Sequence, residues 1–532
     1  MMADSSDSRQ KVAIIGAGAA GMSCASTLAK HPQKYEVTLF DTAPHTGGQA
    51  ISIPLDDSRH GASWLNEGVQ GGSPIFRHTF NFFRRYGYKP VQVKLQVSFG
   101  KGPDNFWTNM FPSPLVDRFS DEIQKFGRVL KWIKRLMPFL GILPVKVMLK
   151  LFRFSTEFGN KMVLPLLALF LGTGNQTPNV PSALLERLFD DKNMRLWDYD
   201  PDTLLPNQPT MYTFPNLSDF YHDWARDLSS RGVHIRLKTA PELVRRDKHG
   251  VTLRPHPATD DANGDPDEAD LPCEEFDEMV ICCPADEAKS LLGQHATWRE
   301  KYVLGGVKFF NDITITHSDS EYFNHIFEAR YRGDLCAKGN NQSRRDQIAF
   351  SQKTTRTRKD GWEGFAPMYY IHSYESDPDK IEMGFDCTNY QHQFREAFGE
   401  NAISPESDRH VYQTIFLNDE EKHLWTWDGI DESKIIDKKW WHQFGHRWQH
   451  YLRVVPGMMF INGKNRTLYA GAWTMVNMHE IACISGIAAA YRLGANYEVF
   501  DDFAEDFFSK YLLVSHGVRY KRGKNCEPTS VE

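Results

Sequence analysis

An apolar run followed by closely spaced glycines opens the chain. Val12–Ile15 are all apolar, and a helical apolar period begins after the turn and extends to Lys30. The turn itself contains three glycines, Gly16, Gly18 and Gly21. A second short apolar run, Tyr35–Phe40, ends at the acidic Asp41. The pattern predicts a β-α-β unit whose first strand and helix are joined by a glycine-rich turn.

Helical and strand-like patterns alternate along the rest of the chain. Helical periods dominate from about residue 76 to 215, and Phe214–Gly232 combines a polar start, an apolar helical period and a glycine stop. Short apolar runs predict further strands at 233–239, 250–255, 276–284 and 466–473. A helix with small residues on its packing face follows over 478–495. The acidic, Pro- and Gly-rich stretch 256–275 predicts a solvated loop.

The segment 128–171 combines apolar residues with regularly spaced cations. Its longest uninterrupted apolar run, Met162–Leu171, has ten residues, whereas a membrane-spanning helix needs about 20. The segment is therefore not predicted to cross a membrane. Two interpretations stay open. The helices are buried and cover a substrate cavity, or their cations (Lys131, Lys134, Arg135, Lys146, Lys150 and Arg153) and apolar residues contact a bilayer surface.

Composition and charge narrow the class of protein. The formal net charge is −6 with 24% charged residues, and no concentrated basic region indicates a nucleic-acid partner. The eight cysteines are scattered without a CxxC pair, which is typical of a reduced protein. The amino terminus lacks the pattern of a secretory signal. We therefore expect an intracellular, cytoplasmic protein.

Two groups of histidine and cysteine side chains are of residue types that often form functional sites, but a packing role explains each group better. His442, His446 and His450 have the i, i+4, i+8 spacing of one helix face. No convergent carboxylate or cysteine accompanies them, so we predict a packed amphipathic helix or an aromatic cavity wall and no metal site. Cys282 and Cys283 end a predicted buried strand, where inert packing is the expectation.

The glycine-rich turn has the spacing of a dinucleotide-binding loop. In such a loop Gly16 makes the turn, Gly18 lets a pyrophosphate approach the backbone, and Gly21 lets the helix pack on the strand. The pyrophosphate would lie at the helix N-terminus, where free N–H groups favour an anion. Asp41 would accept hydrogen bonds from ribose hydroxyls. The intervening loop residues are Ala17, Ala19 and Ala20.

Further motifs resemble those of the FAD-dependent amine-oxidase-like superfamily, which includes amine oxidases and phytoene desaturases. A glycine pair, Gly47-Gly48, and Gln49 follow Asp41 closely, and the segment 467–493 resembles the carboxy-terminal flavin signature of that superfamily. The closest resemblance is to predicted NAD/FAD-binding proteins associated with cyclopropane fatty-acid synthesis. Motifs that carry it lie at 65–100, 276–292, 303–319 and 470–486. Gln49 and Ala43 replace arginines that amine oxidases usually have, which weighs against an amine oxidase proper.

The resemblance implies an FAD cofactor and assigns residues to it. The loop from Gly16 to Gly21 and Asp41 would hold the ADP half. The second set would lie along the phosphates and near the ring, and consists of Gly47, Gly48, Gln49, Gly471 and Ala472. The loop 66–72 would approach the flavin face. His479 and Glu480 would either move a substrate proton or hydrogen-bond the cofactor or backbone.

We therefore predict an α/β fold with a Rossmann-like FAD-binding domain of amine-oxidase type and a discontinuous α+β substrate domain. The FAD-binding segments are 1–75, 214–300 and 455–500. The substrate domain comprises 76–213 and 301–454, and 501–532 is a tail.

The corresponding hypothesis for function is hydride transfer to flavin from a carbon centre of a hydrophobic substrate, such as an acyl or isoprenoid chain. Oxidation of an amine with oxygen as acceptor and flavin binding without turnover are the alternatives. The expected partner is thus a hydrophobic small molecule, with peripheral membrane contact through 128–171 left open.

Overall fold

The computed structural model describes residues 9–192, 194–258, 272–353, 364–397 and 409–523. In these ranges the strands are β1 (Gln10–Ile15), β2 (Tyr35–Phe40), β3 (Ala50–Pro54), β4 (Trp64–Gly68), β5 (Gly71–Gly72), β6 (Val91–Lys94), β7 (Val97–Phe99), β8 (Trp107–Thr108), β9 (Thr210–Thr213), β10 (His234–Arg236), β11 (Thr239–Arg246), β12 (Val251–Pro257), β13 (Glu274–Phe276), β14 (Glu278–Ile281), β15 (Phe309–His317), β16 (Tyr369–Ser373), β17 (Ile381–Asp386), β18 (Tyr412–Phe416), β19 (Ile435–Phe444) and β20 (Thr467–Tyr469). Most of the predicted solvated loop, 259–271, lies outside the described residues.

The α-helices of the same ranges are α1 (Ala19–Leu28), α2 (Asp57–His60), α3 (Arg77–Arg85), α4 (Pro114–Arg118), α5 (Ser120–Arg135), α6 (Met137–Leu140), α7 (Val145–Leu151), α8 (Thr156–Phe158), α9 (Leu164–Leu171), α10 (Ser182–Asp190), α11 (Leu217–Ser230), α12 (Ala285–Leu292), α13 (Trp298–Leu304), α14 (Ser320–Ile326), α15 (Gln342–Ser351), α16 (Cys387–Tyr390), α17 (His392–Ala397), α18 (Val455–Ile461), α19 (His479–Arg492) and α20 (Asp502–His516). Short π-helical stretches, Gly159–Val163 and His450–Val454, precede α9 and α18.

A five-stranded parallel sheet contains the predicted β-α-β unit. Its strand order is β10-β2-β1-β14-β20, and every neighbouring pair runs parallel. The central strand β1 is buried on both faces, which explains its continuous apolar run. Because all five strands point the same way, the residues that follow them meet at one edge of the sheet.

Helices α1 and α19 pack closely on each other beside this sheet. A Cβ atom at Gly486, in the middle of α19, would lie 2.0 Å from the carbonyl oxygen of Ala20 in α1. Glycine at 486 is therefore required for the close approach of the two helices. The contact joins two segments more than 450 residues apart in the chain.

A second, seven-stranded sheet has the order β19-β15-β18-β17-β16-β7-β8. Its strands are antiparallel except at the parallel pair of β16 and β7. The helices α5 to α10 lie between β8 and β16 in the chain; α5 and α10 bury one apolar face, and almost all residues of α9 are buried. The parallel sheet and this mixed α+β region together confirm the predicted fold class. The predicted domain boundaries stay predictions.

The predicted helix that would carry His442, His446 and His450 is wrong. His442 lies in strand β19, His446 lies in the following loop, and His450 begins a π-helical stretch. Residues 435–444 are rich in Ile, Trp and Phe, which favour strands, and β19 pairs along its length with β15. The pairing of β19 with β15 therefore determines the local structure, and the helical spacing of the three histidines does not indicate a helix.

The helices of the segment 128–171 differ in burial. Helix α9 is buried, whereas α6 has no buried residue and α5 and α7 are buried on one face only, so both interpretations of this segment stay predictions. Within the described residues, no helix is both long and apolar enough to cross a membrane.

The contact at Gly486 gives a test of the fold. Alanine normally stabilises a helix interior by about 1 kcal/mol relative to glycine. Here the added methyl group would collide with the Ala20 carbonyl, so we expect Gly486→Ala to lower the free energy of unfolding by about 2 kcal/mol or more. Chemical denaturation measures the change. Gly333→Ala, whose Cβ would meet nothing within 4 Å, is the matched control, and a Gly486→Ala protein as stable as wild type would contradict the packing.

Candidate functional site

A cavity of about 470 Å³ lies at the carboxyl edge of the parallel sheet. The residues that end or follow four of its strands line this cavity: Ile15 and Gly16 after β1, Phe40 and Asp41 after β2, Cys282 and Cys283 after β14, and Gly471 and Ala472 after β20. This edge is where open α/β sheets bind ligands. Of the predicted cofactor residues, the cavity is lined by Gly16, Gly18, Ala19, Ala20, Asp41, Gly47, Gly48, Gln49, Gly471 and Ala472, whereas Ala17 and Gly21 do not line it.

The three glycines of the first loop differ in what a side chain at each position would contact. Gly16 has φ of +107°, and a Cβ there would approach the Cys282 backbone to 3.0 Å. A Cβ at Gly21 would lie 1.8 Å from the Gly16 carbonyl oxygen. A Cβ at Gly18 would touch only Gly48 Cα, at 3.9 Å. The first and third glycines are thus required by the fold, whereas Gly18 leaves space on the cavity side.

The second glycine pair crosses directly over the first loop. The Gly47 N–H donates to the Ala17 carbonyl at 2.9 Å, and Gly47 and Gly18 form an isolated parallel bridge. Gly47 and Gly48 have φ of +111° and +60°, which favour glycine. Beside them the Gln49 side chain donates to the His442 carbonyl at 3.0 Å. Two backbone segments without side chains therefore form one wall of the cavity.

Asp41 holds the first loop in place and faces the cavity. One carboxylate oxygen accepts the Ala17 N–H at 2.5 Å, and the other accepts the Ala43 N–H at 2.8 Å. The carboxylate is only partly buried, so its remaining lone pairs are open to a ligand.

The carboxy-terminal segment reaches the same cavity from the other side. Gly471 has φ of +139° and donates its N–H to Ser485 Oγ at 2.8 Å. Met478, His479 and Ala482, at the N-terminus of α19, line the cavity. The positive ends of the α1 and α19 dipoles are therefore both directed to it.

His479 is buried and held on both ring nitrogens. Its Nε2 lies 2.6 Å from the Tyr221 hydroxyl, and its Nδ1 lies 3.0 Å from Thr79 Oγ1. Burial lowers the pKa of His479 to about 4, against a smaller opposing effect of the Glu480 carboxylate. The ring is thus neutral near pH 7, with both nitrogens engaged.

Glu480 does not line the cavity. Its carboxylate accepts the N–H groups of His78 and Thr79, both at 2.9 Å, and lies 2.7 Å from His78 Nδ1. These N–H groups belong to the first turn of α3, so the carboxylate caps that helix. Of the two roles left open for this residue, hydrogen bonding to backbone matches these contacts.

Several residues that line the cavity could not be predicted from the sequence around them. Glu287, in the first turn of α12, lines the cavity and is exposed to solvent, and partial desolvation and the neighbouring Asp286 carboxylate raise the pKa of its carboxyl. Val69, Leu291, Phe309, Phe444 and Trp473 supply apolar wall. Of the predicted loop 66–72, Val69 lines the cavity. These residues come from separate elements of the fold. Only Glu287, an acidic residue that follows β14 near the sheet edge, could have been suspected from the sequence.

The remaining candidate residues, the two cysteines and the histidines, have contacts that indicate a structural role. Burial raises the pKa of the Cys282 and Cys283 thiols well above the ordinary value, so neither is a thiolate near neutral pH. His446 accepts the Asn477 N–H on Nε2 at 3.0 Å. Among the described residues, no group of three or more His, Cys, Asp or Glu is arranged to hold a metal ion.

Comparison with known proteins supports the same architecture. The family profile of the NAD(P)-binding Rossmann-like domain matches residues 14–86. No curated protein is significantly similar in sequence. A CLA-producing fatty acid isomerase from P. acnes is 14% identical, with a TM-score of 0.57 over 91% of this chain and 98% of that one.

Two amine oxidases share the fold at comparable similarity. Cyclohexylamine oxidase from Brevibacterium oxydans is 10% identical, with a TM-score of 0.56 over 94% of this chain and 99% of its own. Putrescine oxidase bound to putrescine is 12% identical, with a TM-score of 0.54 over 91% and 99%. The chain therefore has a Rossmann-like region within an amine-oxidase-like fold, and the predicted resemblance in fold is confirmed.

Burial of His479 predicts a pH effect on stability. Its pKa falls from 6.5 to about 4 on folding, so between these values the unfolded chain binds a proton that the folded chain does not. Its contribution to stability therefore declines as pH falls through this window, by about 1.4 kcal/mol per unit. Because glutamine does not titrate, the destabilisation caused by His479→Gln should shrink by about 2 kcal/mol from about pH 7 to about pH 5.

Urea unfolding at both pH values measures this difference. The exposed His423 provides the control His423→Gln, which removes no buried ring and should have the same effect at both pH values. An equal effect of His479→Gln at both pH values would contradict the buried, neutral state.

Proposed function

We propose that this protein is an FAD-dependent oxidoreductase that takes hydride from a carbon centre of a hydrophobic substrate. One observation carries the proposal: the N-termini of α1 and α19, from opposite ends of the chain, face a single cavity. A nicotinamide dinucleotide needs only the first helix and its glycine loop. A carboxy-terminal helix directed at the same cavity is the additional feature that favours a flavin.

The residues of the cavity fit the parts of FAD. The N–H groups at the start of α1, with the open space at Gly18, suit the pyrophosphate. The Asp41 carboxylate suits ribose hydroxyls. The N-terminus of α19 suits the electron-rich end of the ring, because its dipole stabilises negative charge there.

The flavin, when bound, supplies the acceptor for the hydride. The protein residues orient it and exclude water. Phe309, Phe444 and Trp473 provide apolar surface along the cavity. His479 would act as a positioning residue, since its hydrogen bonds to Tyr221 and Thr79 fix the first turn of α19. Glu480 would do the same for α3.

A hydrophobic, acyl or isoprenoid substrate is the class we favour. The apolar cavity wall supports it, and so does the shared fold of the fatty acid isomerase. Gln49, in place of the arginine usual in amine oxidases, weighs against an amine substrate.

The cofactor proposal predicts a specific effect at Gly18. A Cβ there meets only Gly48 Cα at 3.9 Å, so Gly18→Ala should fold normally. Its methyl group would lie where the pyrophosphate approaches, and we expect FAD affinity to fall at least tenfold, a loss of about 1.4 kcal/mol. Titration of apoprotein with FAD, read from flavin absorbance, measures it.

Gly333→Ala, remote from the cavity, is the control and should bind FAD like wild type. A wild-type protein that binds no FAD would overturn the cofactor assignment. Unchanged affinity in a stably folded Gly18→Ala protein would overturn the proposed position of the pyrophosphate.

Substrate class is tested by anaerobic mixing. We expect unsaturated fatty acids or isoprenoids to remove the flavin absorbance near roughly 450 nm, because electrons pass to the flavin, whereas putrescine and cyclohexylamine should leave it unchanged. An isomerase returns the hydride to the substrate and leaves the flavin oxidised after each turnover. For such a reaction, analysis of the product replaces loss of flavin absorbance as the readout. Bleaching by amines alone would favour amine oxidation, and FAD binding without any turnover across both panels would favour a non-catalytic flavoprotein.

A further inference from the structure

Three consecutive helices, all packed on α10, present apolar side chains to solvent. Trp132 at the end of α5 is 51% exposed, Phe139 in α6 is 74% exposed and Leu151 in α7 is 56% exposed. Leu136, Ile142 and Val147 add further exposed apolar surface. We call the exposed side of residues 131–151 the apolar ridge.

The ridge is not an unpacked piece of core. Helix α5 buries its other face through Phe126, Leu130 and Ile133, and α7 buries Val145 and Met148. All three helices pack against α10. The exposed residues recur at helical spacing, with Trp132 and Leu136 four apart and Val147 and Leu151 four apart. Helices α5 and α7 therefore bury one apolar face in the protein and expose further apolar side chains to solvent.

The charged residues in the stretch of sequence that contains the ridge all have one sign. Between Ile123 and Thr156 the sequence contains no Asp or Glu and eight cations: Lys125, Arg128, Lys131, Lys134, Arg135, Lys146, Lys150 and Arg153. The chain as a whole carries −6. This separation of charge marks the ridge as the cationic part of an acidic protein.

Only part of this positive charge is neutralised within the protein. Lys134 pairs with Asp190 at 2.7 Å, and Lys146 pairs with Asp379. Within the described ranges, Lys131, Arg135 and Lys150 form no ion pair and remain available to an external anion.

We propose that the apolar ridge docks the protein on an anionic lipid bilayer. Exposed Trp, Phe and Leu side chains would enter the boundary between headgroups and acyl chains, while the long lysine and arginine side chains reach the phosphates. Charge complementarity selects this occupant, since each cation near an anionic leaflet adds favourable energy that salt screens. The proposal is independent of the cofactor and of the reaction.

Vesicle sedimentation tests it with the purified full chain. We expect binding to phosphatidylcholine vesicles that contain about one-third phosphatidylglycerol at about 50 mM salt, and clear weakening at about 500 mM salt. Trp132→Ser with Phe139→Ser should lower the partition coefficient at least tenfold. Lys131→Gln with Lys150→Gln should lower the preference for anionic over neutral vesicles at least tenfold, since each cation near an anionic leaflet contributes about 1 kcal/mol.

Matched controls use equally exposed residues elsewhere. Trp298 and Phe460, 72% and 56% exposed, give the apolar control Trp298→Ser with Phe460→Ser. The exposed Lys248 and Lys338 give the charge control Lys248→Gln with Lys338→Gln. Both controls should bind vesicles like wild type, and all variants should keep the wild-type unfolding midpoint because the replaced side chains are exposed.

The outcomes against the proposal are distinct. Failure of the wild type to sediment with anionic vesicles would overturn it, as would equal losses in the ridge and control variants. A wild-type dimer in light scattering that Trp132→Ser with Phe139→Ser converts to a monomer, without vesicle binding, would assign the ridge to a second copy of this chain instead.

Discussion

The contact between α1 and α19 at Gly486 is the constraint on which the arrangement of the site depends. With a hydrogen atom in place of a side chain, α19 approaches the Ala20 carbonyl closely. That approach sets the N-termini of both helices beside the carboxyl edge of the same parallel sheet. The glycine pair Gly47-Gly48 then crosses the first loop at van der Waals distance. One wall of the cavity is thus built from backbone that would not tolerate a side chain at Gly16 or Gly47.

The electrostatics of the cavity follow from this construction. Two helix N-termini bring partial positive charge, and Asp41 and Glu287 bring carboxyl groups to the same space. Burial lowers the pKa of His479 to about 4, so its ring carries no positive charge near pH 7. Strong attraction for an anion is therefore concentrated at the helix termini and not at a charged side chain. Such a site suits a cofactor with an anionic centre and a less polar ring.

The sequence permits prediction of those features that have local causes. The loop at Gly16–Gly21 is recognisable because the turn from β1 into α1 leaves no room for a side chain at Gly21, next to the Gly16 carbonyl oxygen. Asp41 is recognisable because it follows a short buried strand. The strand β19 was missed because the spacing of His442, His446 and His450 is local whereas its pairing with β15 is not.

Other features depend on chain segments that only the tertiary fold brings together. Glu287, Phe309 and Phe444 meet at the cavity from different elements, and no pattern within each element indicates this. In 128–171, apolar content alone did not separate the buried α9 from the exposed ridge. Tertiary packing, including that of α5, α6 and α7 on α10, decides which residues face outward.

Hydrogen exchange measured with and without ligand tests most directly whether one FAD spans both helix ends. The account predicts that FAD slows amide exchange in residues 16–21 and in residues 471–482 together, whereas ADP alone slows exchange only in the first segment. Protection of 16–21 by FAD with unchanged exchange at 471–482 would contradict it.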